Sequence, residues 1–171
     1  TCFADLLSDR QVTFIPGDAE QLSFPSGQDL IVSCSALQWF VSPELFFKRC
    51  NALLSGHGYF AFSTFGKENL KEIAAVTGSG LHYYSLEELK KSLSMHYNIV
   101  TAGEERIRLT FATPLDVLYH LKHTGVTAVC RQAWTKGDLQ EFCDKYAKLF
   151  SCGNAVTLTY HPLYIIARKK P

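Results

Sequence analysis

Asp29-Leu30-Ile31-Val32-Ser33-Cys34-Ser35-Ala36-Leu37-Gln38-Trp39-Phe40 is the stretch on which the reading of this chain turns. Leu30, Ile31 and Val32 are consecutive, branched and apolar. A strand with one solvated face alternates apolar and polar residues. An unbroken run predicts a strand buried on both faces, as in a parallel sheet covered by helices. The run then becomes small and polar at Ser33-Cys34-Ser35. In an open α/β sheet, ligands sit just beyond the carboxyl ends of the strands, and small side chains there let a ligand approach the backbone. Trp39 follows, and Ser42-Pro43-Glu44 supplies an N-cap and first turn for a helix. Trp39 therefore reads either as a ligand-facing aromatic or as a core aromatic at the helix entrance.

Working outward, 12–15 is β-branched and aromatic and predicts a strand, ended by Pro16-Gly17-Asp18-Ala19-Glu20. Residues 2–8 suggest the end of an amphipathic helix, so the chain enters in mid-pattern and an N-terminal truncation is expected. After the central stretch, a helix runs from Pro43 to a stop at Gly56. A strand follows over 59–65, then a helix over 67–76. Ser85-Leu86-Glu87-Glu88 is a capping box opening a helix that ends about Leu93. Residues 97–110 predict a strand bent near Gly103. Thr113-Pro114-Leu115-Asp116 opens a helix with Leu115, Leu118 and Leu121 inward, and Thr135 with Asp138 opens another carrying Leu139, Phe142, Tyr146 and Leu149. Residues 156–160 and 163–167 form a last strand pair or one long bent strand. Strand and helix alternate early, which predicts an α/β fold with a parallel sheet.

The 171 residues set one domain, 1–171, as the expectation, and a formal charge of +1 gives no electrostatic case for nucleic acid or anionic membrane. Apolar runs are too short to span a bilayer. The six cysteines contain no C-x-x-C pair. Cys34 and Cys50 fall in apolar segments, which predicts buried free thiols and a reducing, cytoplasmic setting.

Taken from its third strand onward, the order of elements resembles a class I S-adenosylmethionine-dependent methyltransferase. Gly17-Asp18-Ala19-Glu20-Gln21-Leu22-Ser23-Phe24 resembles that fold's motif after the third strand, and 29–35 its fourth strand. Gln38-Trp39-Phe40, Phe62-Ser63-Thr64-Phe65-Gly66 and Leu121-Lys122-His123-Thr124-Gly125-Val126 narrow the match to the malonyl-acyl carrier protein O-methyltransferases of biotin biosynthesis. The resemblance implies a Rossmann-like, three-layer α/β/α fold lacking its first two strands, with a helical lid at 113–150 inserted before the last strand. The family's glycine-rich loop and ribose-binding acid have no counterpart here. Gly78-Ser79-Gly80 follows a helix and so fails the fingerprint context. Weak binding of the co-substrate by this chain alone is therefore expected.

The resemblance implies methyl transfer from S-adenosyl-L-methionine to the free carboxylate of a malonyl thioester on acyl carrier protein. No general base is needed, because a carboxylate of pKa about 4 is already ionised at neutral pH. Alignment of the reacting groups is worth roughly 7–11 kcal/mol. In the resemblance, Asp18 and Ala19 bind adenine, and Ser33, Cys34 and Ser35 contact the amino-acid half of the co-substrate. Gln38 and Trp39 lie over the co-substrate and the substrate entrance, Ser63, Thr64 and Gly66 line the acceptor pocket, and Tyr83 and Tyr84 close it. Lys122 and Arg131, with neighbouring cations of the lid, meet the acidic carrier. Plainer readings stand beside these: a turn-capping Asp18, small strand-end residues for packing, loop tyrosines, and a solvated mixed-charge lid. No metal is expected, since His120, His123 and Cys130 fall short of a ligand set. The competing functions are methylation of another small-molecule carboxylate or hydroxyl, and a non-catalytic partner-binding fragment of the fold. Loss of the first two strands would leave the 29–35 edge unpaired. The strand at 12–15 is then expected to slide in beside it, or a second copy to pair there as a homodimer.

Overall fold

The computed structural model describes residues 13–125 and 134–171. The expected helix at 2–8 lies outside them. The central strand β1 (Gln28–Cys34) pairs in parallel with β2 (Leu54–Phe65), with Leu30 opposite Tyr59 and Cys34 opposite Ser63. The helix α1 (Pro43–Leu53) makes the crossover between them. Next to β2, antiparallel, lies β7 (Pro162–Lys169), and next to β7 lies β3 (Tyr97–Glu104). The sheet order β1-β2-β7-β3 is the order expected of the family's fourth, fifth, seventh and sixth strands.

One face of this sheet is packed by α1 and by α3 (Leu86–Leu93). Phe46 and Phe47 of α1 meet Phe60 and Phe62 of β2, with the Phe47 and Phe62 rings stacked at 5.6 Å. Each such ring, once buried, contributes about 1.5–3 kcal/mol. The Tyr97 hydroxyl reaches this core and donates to the Phe47 carbonyl at 2.8 Å. On the opposite face Leu30, Val32, Tyr59, Tyr164 and Ile166 are exposed, Leu30 at 56% and Val32 at 57%. The expected burial of Leu30-Ile31-Val32 on both faces is thus not met. Among the described residues β1 is an edge strand, and no helix supplies a second layer over that face.

Other local expectations are also corrected. Residues 13–15 form no strand, and Phe14 is 60% exposed; Val12 lies outside the described residues. Nothing described slides in beside β1. Gly56 does not stop α1, because β2 begins directly at Leu54 and runs through it. The helix placed at 67–76 is α2 (Lys71–Thr77), entered through a turn in which Leu70 has φ 53°. Cys34 is exposed, while Cys50 is buried as expected.

A second sheet was not anticipated. β4 (Ile107–Phe111), β6 (Ala155–Tyr160) and the short β5 (Ser151–Cys152) are ordered β4-β6-β5. Against it pack α4 (Pro114–His123), α5 (Lys136–Phe150) and α2, around Val117, Phe142, Tyr146 and Leu158. Leu115 and Leu118 are only partly buried, and Leu149 is 57% exposed, so the inward stripes are narrower than their spacing suggests. The two sheets share one bent ribbon. Glu104 of β3 lies opposite Leu163 of β7, and Ile107 of β4 opposite Tyr160 of β6. The bend falls at Glu105-Arg106 and at His161, two residues beyond Gly103 on the first strand. The helices of the 113–150 stretch therefore pack on a sheet whose strands flank that stretch in sequence.

Candidate active site

The carboxyl ends of β1 and β2 meet in a small polar cluster. Ser35 adopts a left-handed backbone, φ 49°, which for a residue with a side chain costs of order 1–3 kcal/mol and concentrates at functional sites. Its N–H donates to the Ser63 carbonyl at 3.0 Å and lies 3.2 Å from Ser63 Oγ. Gln38 locks the next turn: its Nε2 donates to the Ser35 carbonyl, and its Oε1 accepts from Thr64 Oγ1 at 3.2 Å. A single 3-10 turn, Leu37–Trp39, buries Leu37 and leaves Trp39 47% exposed. Ser33 is buried, while Cys34 and Ser35 are exposed. Trp39 is thus not a buried core aromatic in this structure.

The 17–22 loop is pinned beside this cluster. Asp18 caps its own turn, with Oδ1 accepting from the Glu20 N–H and Oδ2 from Gln21 Nε2, both at 2.9 Å. Ala19 packs on the first core. The Glu20 carboxylate accepts from the backbone N–H groups of Val41 at 2.8 Å and Ser42 at 2.9 Å. It occupies the start of α1, where orphan donors and the helix dipole favour an anion. Ser42 holds the N-cap position, but its side chain makes no capping bond.

Beyond the cluster opens a cleft of ≈ 800 Å³, lined among others by Gln38, Trp39, Lys67, Asn69, Lys71 and Tyr83. Thr64 and Tyr84 line a smaller adjoining recess that Gln38 and Tyr83 share. Both cleft lysines are paired, Lys67 with Glu88 at 2.8 Å and Lys71 with Glu68 at 3.0 Å. Arg106, followed by Lys71, pulls the Glu68 carboxyl down to about 2.

The bend of the ribbon forms the wall behind this cleft. His161 is 3% exposed. Its Nδ1 accepts from the Glu68 N–H at 3.2 Å, which puts the proton on Nε2, 3.1 Å from Glu104 Oε2. This hydrogen bond and a second from Arg106 lower the Glu104 carboxyl. Gly66 closes against the imidazole, where a Cβ would lie 2.6 Å from the ring. Gly66 is thus a packing residue. Asn69, 5% exposed, accepts from the His161 N–H on Oδ1 at 3.2 Å and donates from Nδ2 to the Tyr83 hydroxyl at 3.1 Å. Glu72, equally enclosed, accepts from the N–H and hydroxyl of Thr159 and ties α2 to β6. Sequence reasoning missed Asn69, Glu72 and His161. Their one signal was His161-Pro162 interrupting two apolar runs.

In the stretch expected to form a lid, Lys122 is exposed in the last turn of α4, and Lys145 pairs with Glu141 at 2.6 Å. Arg131 lies outside the described residues. His120 meets the Tyr160 hydroxyl at 3.0 Å. Among the described residues no three His, Cys, Asp or Glu side chains are placed to hold a metal, and no helix is long and apolar enough to cross a membrane.

Comparison with known proteins agrees with this geometry. A family described as "Methyltransferase domain" matches residues 2–62. Over 99% of its length the chain is 56% identical to the malonyl-[acyl-carrier protein] O-methyltransferase of Bacteroides thetaiotaomicron, and it covers 69% of that protein. Over 97% it is 58% identical to the protein of the same name from Bacteroides fragilis, covering 34% of it. The chain thus spans only part of the length of these relatives. Among solved structures, Bacillus halodurans BH2331 superposes with a TM-score of 0.67 at 17% identity, over 99% of this chain and 76% of that one. That likeness establishes the Rossmann-like methyltransferase fold.

Proposed function

Because the chain belongs to the malonyl-acyl carrier protein O-methyltransferase family, we propose that it serves S-adenosyl-L-methionine-dependent methylation of the free carboxylate of malonyl-acyl carrier protein. The reaction would be an early, cytoplasmic step of biotin biosynthesis. One observation carries the proposal: 56% identity, across 99% of the chain, to a relative of that name.

The residues present fit the co-substrate's amino-acid end. Three consecutive small residues close β1, and the left-handed Ser35 opens the backbone there. Ser33, Cys34 and Ser35 take that end, and Asp18 and Ala19 the adenine. Both Asp18 oxygens already cap a turn, yet a carboxylate has lone pairs to spare for an amine. S-adenosyl-L-methionine supplies a methyl carried on a sulfonium; the carboxylate oxygen takes it as the carbon–sulfur bond breaks, leaving a neutral thioether, and no proton moves. The protein's work is therefore to orient the carboxylate and keep water out. Gln38, fixed at both ends of its amide, and the exposed Trp39 form the boundary between the co-substrate and acceptor sides. Ser63 and Thr64 stand behind them. Lys122 docks the acidic carrier, and Arg131, outside the described residues, is assigned to the same role from the sequence alone.

The test is methylation of malonyl-acyl carrier protein and of a small malonyl-pantetheine thioester by the full-length enzyme, read by mass spectrometry. Methyl ester formed on both supports the reading; no ester on either overturns it. Lys122→Glu is expected to slow the carrier-bound substrate severalfold and leave the small thioester untouched. Equal losses on both would remove Lys122 from carrier docking.

A further inference from the structure

We propose that the Tyr83 hydroxyl is the hydrogen-bond donor that binds the acceptor's free carboxylate, and that Asn69 is the positioning residue that aims it. The inference rests on the methyltransferase reading above and adds to it how the acceptor is recognised.

A bound carboxylate needs a donor, and the cationic candidates in the cleft are engaged. Lys67 is held by Glu88 and Lys71 by Glu68. Gln38 Nε2 spends one of its two protons on the Ser35 carbonyl, a bond that turns the amide toward the backbone. Tyr83 differs. Its oxygen accepts from Asn69 Nδ2 at 3.1 Å, and its own proton has no acceptor among the described residues. The ring is half-buried, lines the cleft beside Gln38 and Asn69, and burial raises the phenol above its usual value. The hydroxyl therefore stays a donor through the neutral range.

Asn69 sets the direction. Its Oδ1 must be the atom facing the His161 N–H, since that backbone group can only donate. Its Nδ2 is thereby committed to Tyr83. The backbone of the ribbon's bend thus fixes an amide, and the amide fixes a phenol. The Tyr83 oxygen is left with its proton for an acceptor in the cleft.

A neutral donor suits this chemistry. A carboxylate locked to a lysine is stabilised in the ground state, and that stabilisation is lost as the oxygen is alkylated and its charge disappears. A phenolic hydrogen bond holds the group in place while leaving it nucleophilic. The ester formed is a weaker acceptor, which favours release of product.

Tyr83→Phe removes the proton and keeps the ring. In the full-length enzyme it is expected to raise KM for malonyl-pantetheine about tenfold or more, the worth of a hydrogen bond to a charged group. KM for S-adenosyl-L-methionine and the thermal midpoint should stay at wild-type values. Calorimetric binding of malonyl-pantetheine should weaken in step, while binding of its methyl ester should weaken far less. Asn69→Asp keeps the acceptor for the His161 N–H but turns Nδ2 into an acceptor that draws the Tyr83 proton away from the cleft. It is expected to behave as Tyr83→Phe does, and Asn69→Gln to recover part of the affinity. Wild-type affinity of Tyr83→Phe for the malonyl thioester, or equal losses for acid and ester, overturns the assignment of Tyr83. Wild-type KM in Asn69→Asp overturns the positioning role. These outcomes are distinct from failure of the methyltransferase reading, in which the wild-type enzyme itself methylates no thioester.

Discussion

Trp39 shows what one turn of backbone does for a side chain. Leu37, two residues earlier, is 3% exposed and anchors the 3-10 turn in the core, so Trp39 emerges at the mouth of the cleft. About half of its area is left to solvent. Trp39→Ala in the full-length enzyme is expected to cut kcat/KM at least tenfold, while stability falls by less than about 1 kcal/mol, the range of partly exposed positions. Activity assays and thermal unfolding on the same preparation check this. A large fall in stability with unchanged activity would make Trp39 a structural residue. The small residues at the end of β1 were legible from the sequence because strand ends in α/β sheets are where ligands bind. Asn69 and His161 were not. Their roles depend on two strands crossing at a bend that no local pattern encodes.

Among the elements, α3, α4 and α5 begin where expected because each opens on a capping box written within four residues of sequence. The start of α1 at Ser42-Pro43 was read correctly as well, but its capping partner was not, because the Ser42 side chain makes no capping bond. Its cap is Glu20, reaching the N–H groups of Val41 and Ser42 across the chain. Glu20→Ala is expected to cost about 1 kcal/mol, comparable to other lost caps, and to loosen the 17–22 loop; urea denaturation measures the first and amide exchange of Gln21 and Leu22 the second. An unchanged urea midpoint would show that α1 needs no cap. The edge strand β1 was misjudged for a related reason, since consecutive apolar residues say that a strand has apolar neighbours without saying which. Leu30 and Val32 are exposed on a strand with one edge unpaired among the described residues, and such an edge recruits further strands. The chain as given is expected to self-associate, with its light-scattering mass rising with concentration, and Val32→Lys is expected to return it to a monomer. A monomer at all concentrations would overturn this.

At the scale of the whole molecule, the parallel β1–β2 pair was legible because strand, helix and strand alternate there, whereas the sheet order followed only from the family resemblance. The second sheet was hidden by its own strands. β4 and β6 read as continuations of β3 and β7, and only the packing of α4 and α5 beneath them gives them a separate core. The bent ribbon has a consequence for how this molecule comes apart. Each half of the ribbon completes a different sheet, so neither hydrophobic cluster can dissolve without fraying strands that the other needs. The chain's two tryptophans report on the two sides: Trp39 at the cleft beside the first cluster, and Trp134 packed on Phe142 in the second, at 5.0 Å. Fluorescence of Trp39→Phe and Trp134→Phe variants is expected to trace one common denaturation midpoint, the mark of an all-or-none transition. Two separated midpoints would mean that the ribbon is a seam, along which the second sheet and its helices can melt while the first sheet stands.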